Sequence, residues 1–149
     1  MQHVYDLYAR RVADDNIDLR LQLSEPRVCG TFDPDGLHNL LSNLVANAID
    51  ACRFDTSEKK SGFTITLRCR QEEDGTTAFE VEDNGAGIPD EHSGKVFEEF
   101  FSTKGTEGTG VGLLVVQKVA EEHHGGVTFS SRAGEGTRFQ VTVRPADRR

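Results

Sequence analysis

Three long stretches of the chain carry apolar residues at helical spacing, and six shorter ones alternate as strands do. From Val4 to Asp14, residues Val4, Leu7, Tyr8 and Val12 fall on one helical side, and Asn16 closes the segment. Ile17 to Leu23 then alternates strictly. Ser24-Glu25-Pro26 reads as a turn, and Arg27 to Phe32 as a second strand, expected to be the hairpin partner of the first. The strongest helix runs from Pro34 to about Cys52, with Leu37, Leu40, Leu41, Leu44, Val45, Ala48 and Ile49 forming one broad apolar face. Asp33 is placed to cap it, with Pro34 at its first position.

A polar loop over Phe54 to Ser61 leads to a strand over Gly62 to Arg70. Glu72-Glu73-Asp74-Gly75 turns the chain back into a strand from Thr76 to Glu82. The Phe-rich segment Val96-Phe97-Glu98-Glu99-Phe100-Phe101 has one short helical face, suited to plugging a loop against the core. With the glycines that follow, Gly87 to Gly110 reads as a mobile lid. The third helix starts at Val111 and ends at Gly125-Gly126. Val127 to Arg132 and Thr137 to Val143 are strands joined by the tight turn Ala133-Gly134-Glu135-Gly136, before a polar tail from Pro145 to Arg149. No repeat or linker divides the chain, so the 149 residues are expected to form one domain around one core.

Composition narrows the function classes. Hydrophobic residues make up 36% and charged residues 28%, the balance of a soluble globular protein. A net charge of -8, with no Lys/Arg cluster, argues against a nucleic-acid or anionic-membrane binder. No apolar run approaches the ~20 residues of a membrane span, and the first residues lack a signal-peptide core. Cys29, Cys52 and Cys69 form no CxxC pair and read as buried thiols in a reducing cytosol.

Two stretches offer chemistry. On the long helix, Asn39, Asn43, Asn47 and Asp50 recur at steps of four, four and three and project from one side. Asparagine is a mediocre helix former, so the ridge is either a solvated face or a set of amide oxygens aimed at a hard cation such as Mg²⁺. The second stretch, Asp83-Asn84-Gly85-Ala86-Gly87-Ile88-Pro89, puts a carboxylate at a strand end and then a glycine turn. It is either an ordinary surface turn or the floor of a pocket. A buried carboxylate accepts hydrogen bonds and cannot donate them, so such a floor would select an NH-bearing ligand.

Three pieces stand in order: Asn43-Leu44-Val45-Ala46-Asn47-Ala48, Asp83-Asn84-Gly85-Ala86-Gly87 and Gly108-Thr109-Gly110-Val111-Gly112-Leu113. They resemble the N, G1 and G2 boxes of the GHKL ATP-binding superfamily. Val96 to Phe101 resembles the F box of sensor histidine kinases, and Gly134-Glu135-Gly136-Thr137-Arg138-Phe139 a late G-x-G-T-x-F element. The likeness covers nearly the whole chain and is strongest to the catalytic and ATP-binding domain of a bacterial two-component sensor histidine kinase.

That resemblance implies the Bergerat fold, a two-layer α/β sandwich with a mixed sheet of about five strands covered on one face by about three helices. It implies ATP and Mg²⁺ as ligands. Asp83 would accept from the adenine amino group, partly through water shared with Thr137. Gly85 and Gly87 would let the chain pass close to the base, with Ile88 against the ring. Asn47 would ligate Mg²⁺, and Asn43 would line the same side. Gly108, Thr109, Gly110, Val111 and Gly112 would form the phosphate loop at a helix N-terminus, and Lys104 would reach the terminal phosphate from the lid. Asn47 and Lys104 are thus the candidate catalytic residues. The glycine loop is no Walker A motif, since the Gly-Lys-Ser/Thr ending is missing.

Hydrolytic members of the superfamily carry a glutamate one turn before the magnesium asparagine. Here that position is Asn43, which cannot act as a base at neutral pH, so the chain is expected to spare ATP from water. Many histidine kinases have Lys or Arg three residues after that asparagine, whereas this chain has Asp50. The wording Asn47-Ala48-Ile49-Asp50-Ala51 resembles the ATPase branch and keeps hydrolysis as an alternative, beside a nucleotide-binding module without transfer activity. None of His3, His38, His92, His123 or His124 has a phosphoacceptor setting. The chain is therefore expected to be a cytoplasmic fragment of a longer parent kinase, whether or not that parent is membrane-anchored. Its partners would be that parent's dimerisation and phosphoacceptor domain and a response regulator receiver domain, with no nucleic acid and no direct membrane contact.

Overall fold

A computed structural model describes residues 1–13, 15–23, 32–55, 60, 62–89, 91 and 112–144. Helix α1 spans Gln2–Arg11, strand β1 Ile17–Leu23, helix α2 Pro34–Arg53, strand β2 Phe63–Gln71 and strand β3 Thr77–Asp83. Helix α3 spans Gly112–Glu122, followed by strands β4 (Gly126–Arg132) and β5 (Gly136–Val143). The expected hairpin strand over Arg27 to Phe32, the Phe-rich segment, Lys104 and the glycines from 105 to 110 lie outside the described residues, apart from Phe32, which precedes the α2 cap in non-strand backbone.

The sheet order is β1-β2-β3-β5-β4. β1 pairs with β2 in parallel, and the other three pairings are antiparallel. Parallel neighbours need a crossover, and α2 supplies it. The three described helices cover one face, which makes the expected two-layer sandwich with a mixed five-stranded sheet.

Strand alternation decides what each face holds. Ile65 and Leu67, Phe79 and Val81, and Phe139, Val141 and Val143 point to the helices and are buried. They meet the apolar face of α2, where Leu40, Leu41, Leu44, Val45, Ala48, Ile49 and Cys52 are buried. Each fully buried Leu, Val or Ile contributes about 1.5–3 kcal/mol, so this seam is the main source of stability. Tyr8 and Val4 bring α1 onto the same core, and the Tyr8 hydroxyl donates to Ser42 O at 3.3 Å. Leu7, read from the sequence as part of the apolar stripe, is instead 37% exposed.

The open face carries the charged half of the alternation. Arg68 on β2 holds Glu80 at 2.6 Å and Glu82 at 3.4 Å on β3, and Arg138 on β5 approaches Glu82 at 4.0 Å. Glu80 is buried among these partners, so its charge depends on Arg68 staying in place.

The ends of the elements follow local chemistry. Asp33 caps α2 with its side chain accepting from Asp35 N at 3.1 Å, and Pro34 occupies the first turn. Asn16 turns the chain out of the α1 region at φ 56°. Among the described residues, no helix is long and apolar enough to cross a membrane.

Candidate functional site

One transverse row of the sheet departs from the apolar rule. Ile65, Asp83, Thr137 and Ser131 are register partners across β2, β3, β5 and β4. All lie in phase with the helix-facing core positions, so Asp83 and Thr137 occupy places where the period demands apolar side chains. Asp83 is only 7% exposed and Thr137 5%. Ile65 keeps the row dry on one side. Beyond Asp83 the chain enters the glycine turn.

Burial pushes the Asp83 carboxyl up to about 6; amides of Gly85 and Thr137 and the charge of Lys60 pull against that, while Glu82 adds to it. Its Oδ1 accepts from Gly85 N at 2.9 Å. At neutral pH this is an ionised acceptor at the bottom of the row.

The turn itself is tied down at successive residues. The Asn84 side-chain oxygen accepts from Thr64 N at 2.8 Å. Ala86 N donates to Ala51 O of α2 at 2.9 Å, and Gly134 N donates to Ala86 O at 2.6 Å. Ile88 N donates to Ser131 Oγ at 2.8 Å. Ser131 Oγ in turn donates to Gly136 O at 3.0 Å and lies 2.7 Å from Thr137 Oγ1. A serine has one proton. With that proton on Gly136 O, the Thr137 hydroxyl donates to Ser131, and Thr137 offers lone pairs to anything bound beside Asp83.

The glycines are explained by protein as well as by any ligand. A Cβ on Gly85 would stand 2.5 Å from Ala51 C and 2.6 Å from Ala51 O. Gly87 has φ +71°, and a Cβ there would stand 2.0 Å from Arg132 O. Both residues let the turn lie directly on α2 and on the β4–β5 hairpin.

Asn43 and Asn47 are half-buried on α2. Asn43 Nδ2 donates to Asn39 O at 2.8 Å, which orients Oδ1 towards α3, 3.1 Å from where a Cβ on Gly112 would stand. Gly112 thus lets the start of α3 close on the asparagine ridge. The first turn of α3 carries no acidic residue, which suits an anion at that helix end.

Among the described residues, no group of three or more His, Cys, Asp or Glu side chains could hold a metal alone. An amide oxygen is nevertheless a fitting Mg²⁺ donor, because that ion keeps its waters and substrate phosphates and takes few protein ligands. Asn47 fits this role on donor chemistry.

The structure therefore brings Asp83, Gly85, Gly87, Ile88 and Thr137 together at one end of the sheet, and Asn43 and Gly112 together at the α2–α3 seam. Lys104, Gly108, Thr109, Gly110 and Val111 lie outside the described residues. Sequence reasoning missed Ser131, although its phase with Val127 and Phe129 could have found it. It also missed Lys60, whose Nζ pairs with Asp55 and donates to Gly85 O at 2.7 Å. His123, read from the sequence only as lacking a phosphoacceptor setting, accepts from Asp33 N through Nε2 at 3.2 Å and holds Val119 O through Nδ1 at 2.9 Å, joining the start of α2 to the end of α3. Cys52 is buried, and burial drives its thiol to about 12, so it is an inert core residue.

Comparison with known proteins places the fold in a family. The model of the family described as "Histidine kinase-, DNA gyrase B-, and HSP90-like ATPase" matches residues 32–147. The sensor protein SrrB of Staphylococcus aureus is 32% identical over 140 residues, covering 90% of this chain and 22% of that protein. The chain thus spans about a fifth of the length of the curated relatives it matches. The catalytic domain of histidine kinase ThkA is 28% identical with a TM-score of 0.78, covering 96% of this chain and 88% of that one. Full-length ShkA in complex with AMPPNP shares the fold at 23% identity and a TM-score of 0.80, over 95% of this chain and 28% of its own.

Proposed function

Since the chain belongs to the histidine kinase-, DNA gyrase B- and HSP90-like ATPase family, as a catalytic ATP-binding domain of the histidine kinase kind, we propose how its residues handle the nucleotide. The adenine amino group donates to Asp83, directly and through water shared with Thr137, and Ile88 lies against the ring. Gly85 keeps the turn close to α2 and Gly87 keeps it on the β4–β5 hairpin, so that the base would have a flat floor. The phosphates would sit at the start of α3, where Gly112 stands and the preceding segment from Gly108, outside the described residues, would offer its amides. Asn47 would hold Mg²⁺, which would supply charge neutralisation during transfer. Lys104, outside the described residues, would reach the terminal phosphate.

The reaction we propose is transfer of the terminal phosphoryl group to a histidine nitrogen on a dimerisation domain of the parent protein. The phosphoryl group would pass from there to a response regulator. The chain's part is positioning and charge stabilisation rather than covalent chemistry. The observation that carries the nucleotide reading is the row of buried Asp83 and Thr137 with half-buried Ser131, a polar strip placed where packing alone calls for apolar residues. Asn43 supports transfer over hydrolysis: an amide pinned to Asn39 O has no basicity to activate water.

The test is to mix the chain with Mg-ATP and a separately made dimerisation domain of the same parent. Acid-labile label on that domain's histidine is the expected result, with none on this chain alone. Label on a histidine of the isolated chain would refute the division of labour. Asp50 on α2 favours a second reading, a hydrolase of the ATPase branch. Steady Mg-ATP turnover by the purified chain, abolished by Asn47→Asp, is the result that would establish it.

A further inference from the structure

The polar loop after α2 contains a charge whose position the nucleotide chemistry does not explain. Lys60 is only 17% exposed in its side chain, and its partner Asp55 only 4%. A lysine ordinarily keeps its ammonium in water, and withdrawing one costs several kcal/mol unless it is paired and hydrogen-bonded. Here Nζ pairs with Asp55, lies 5.9 Å over the Phe63 ring and donates to Gly85 O at 2.7 Å. The last contact is the informative one. Gly85 N already binds the Asp83 carboxylate, and Ala86 N already binds Ala51 O. Lys60 takes the carbonyl between those two amides and so completes the clamp on the peptide that shapes the floor.

We propose that Lys60, held by Asp55, is a positioning residue of the nucleotide site, pinning the glycine turn through Gly85 O so that Asp83 faces the adenine amino group. This rests on the reading of Asp83 as the adenine floor. Lys60 touches no nucleotide in this scheme. It acts on the base end alone, so it affects every adenine nucleotide equally, whatever the number of phosphates. It also places a positive charge where it favours the ionised form of Asp83, against the opposing influence of Glu82. Among the described residues, Cys52 of α2 is a further titratable group in electrostatic contact with Asp83, and it stays a neutral thiol.

The experiment compares the parent chain with Lys60→Met, Lys60→Arg and Asp55→Asn. First, amide hydrogen exchange is read without nucleotide. Lys60→Met should speed exchange at Ala86 by roughly tenfold, the loss of one charged hydrogen bond, while amides in α1 and β4 keep their rates. Unchanged exchange at Ala86 overturns the proposal, whatever happens with nucleotide. Second, ADP without metal and ATP with Mg²⁺ are titrated. Lys60→Met should weaken both by the same factor of about ten, Asp55→Asn by a smaller common factor, and Lys60→Arg should restore most of the affinity. A loss larger for ATP than for ADP would mean direct phosphate contact and would overturn it, as would parent-like binding by Lys60→Met and Asp55→Asn alike. Third, the acid limb of the ADP affinity profile should move to higher pH in Lys60→Met, because the removed charge favoured ionised Asp83. A merely structural lysine would leave that limb in place. If the parent binds no nucleotide, the adenine-floor reading fails, and the exchange measurement still decides whether Lys60 holds the turn.

Discussion

Asp83→Asn separates binding from stability more sharply than any other change in this chain. The carboxylate serves two sets of donors: the Gly85 amide on the protein side and, as proposed, the adenine amino group on the pocket side. An asparagine has one oxygen and one NH₂. If its oxygen stays on Gly85 N, the NH₂ meets the adenine amino group; if it flips, the NH₂ meets Gly85 N–H. Either orientation sets donor against donor. Losing a hydrogen bond to a charged acceptor costs about 1.5–3 kcal/mol, and the opposed donors add to that, so affinity for ADP should fall by roughly a hundredfold.

The fold should respond in the opposite sense. The Asp83 carboxyl is raised from 3.8 to about 6, so at pH 7.5 the folded state holds an ion that burial disfavours by an amount on the order of 3 kcal/mol. Between those two values the folded chain keeps a proton that the unfolded chain has released. The contribution of this group to stability is therefore greatest below about pH 4, declines as pH rises through 6, and is flat above. Asp83→Asn removes that dependence and should denature at equal or higher urea than the parent at pH 7.5, with the difference shrinking towards pH 4.5. Titration calorimetry and urea melts of both chains check the two halves. Binding within threefold of the parent would refute the adenine floor. A collapse of stability at pH 7.5 would refute the claim that the buried charge is a liability tolerated for binding.

Other substitutions probe the supports of the site. Gly85→Ala forces a methyl group onto the Ala51 backbone at 2.5 Å and should cost about 1–3 kcal/mol by urea melt while weakening nucleotide binding. Gly125→Ala drives a Cβ to 1.6 Å from Thr142 O, far from the site, so it should destabilise the chain while folded molecules bind ADP normally. Ser131→Ala strands the Ile88 amide and should lower stability by about 1–3 kcal/mol, with a smaller loss of ADP affinity than Asp83→Asn. Asn47→Ala should abolish the gain in ATP affinity on adding Mg²⁺ and leave metal-free ADP binding near the parent value, read by calorimetry.

The helices and most strands were legible because their periods are clean. α2 shows an unbroken apolar face over five turns, an Asp33 cap and Pro34, and it forms over Pro34–Arg53 against an expected end near Cys52. Asp83 stood out as a carboxylate at a strand end before a glycine turn, whereas Thr137 entered through the resemblance of its segment to a late G-x-G-T-x-F element. What escaped depends on contacts between distant parts of the chain. Nothing local marks Lys60, in a loop of charged residues, as the donor to a carbonyl 25 residues later. Gly85 was read for its closeness to a base, whereas the structure shows the closeness to Ala51 that only three-dimensional packing reveals. β1 was given a neighbour in the next segment of chain, and its described partner is β2, reached across the whole of α2.

The clamp on the glycine turn has a consequence for selectivity among purines. Asn84, Gly85, Ala86 and Ile88 each have a protein partner before any ligand arrives. A nucleotide entering that end meets a turn already held in place over these residues, so the conformational cost of ordering that turn is small. Discrimination then falls on the Asp83 contact itself. A purine with a carbonyl in place of the exocyclic amine brings oxygen against oxygen in a floor that cannot shift to relieve it. Rejection of hypoxanthine and guanine nucleotides should thus be steep in this chain, and it should relax in any variant that lets the turn move.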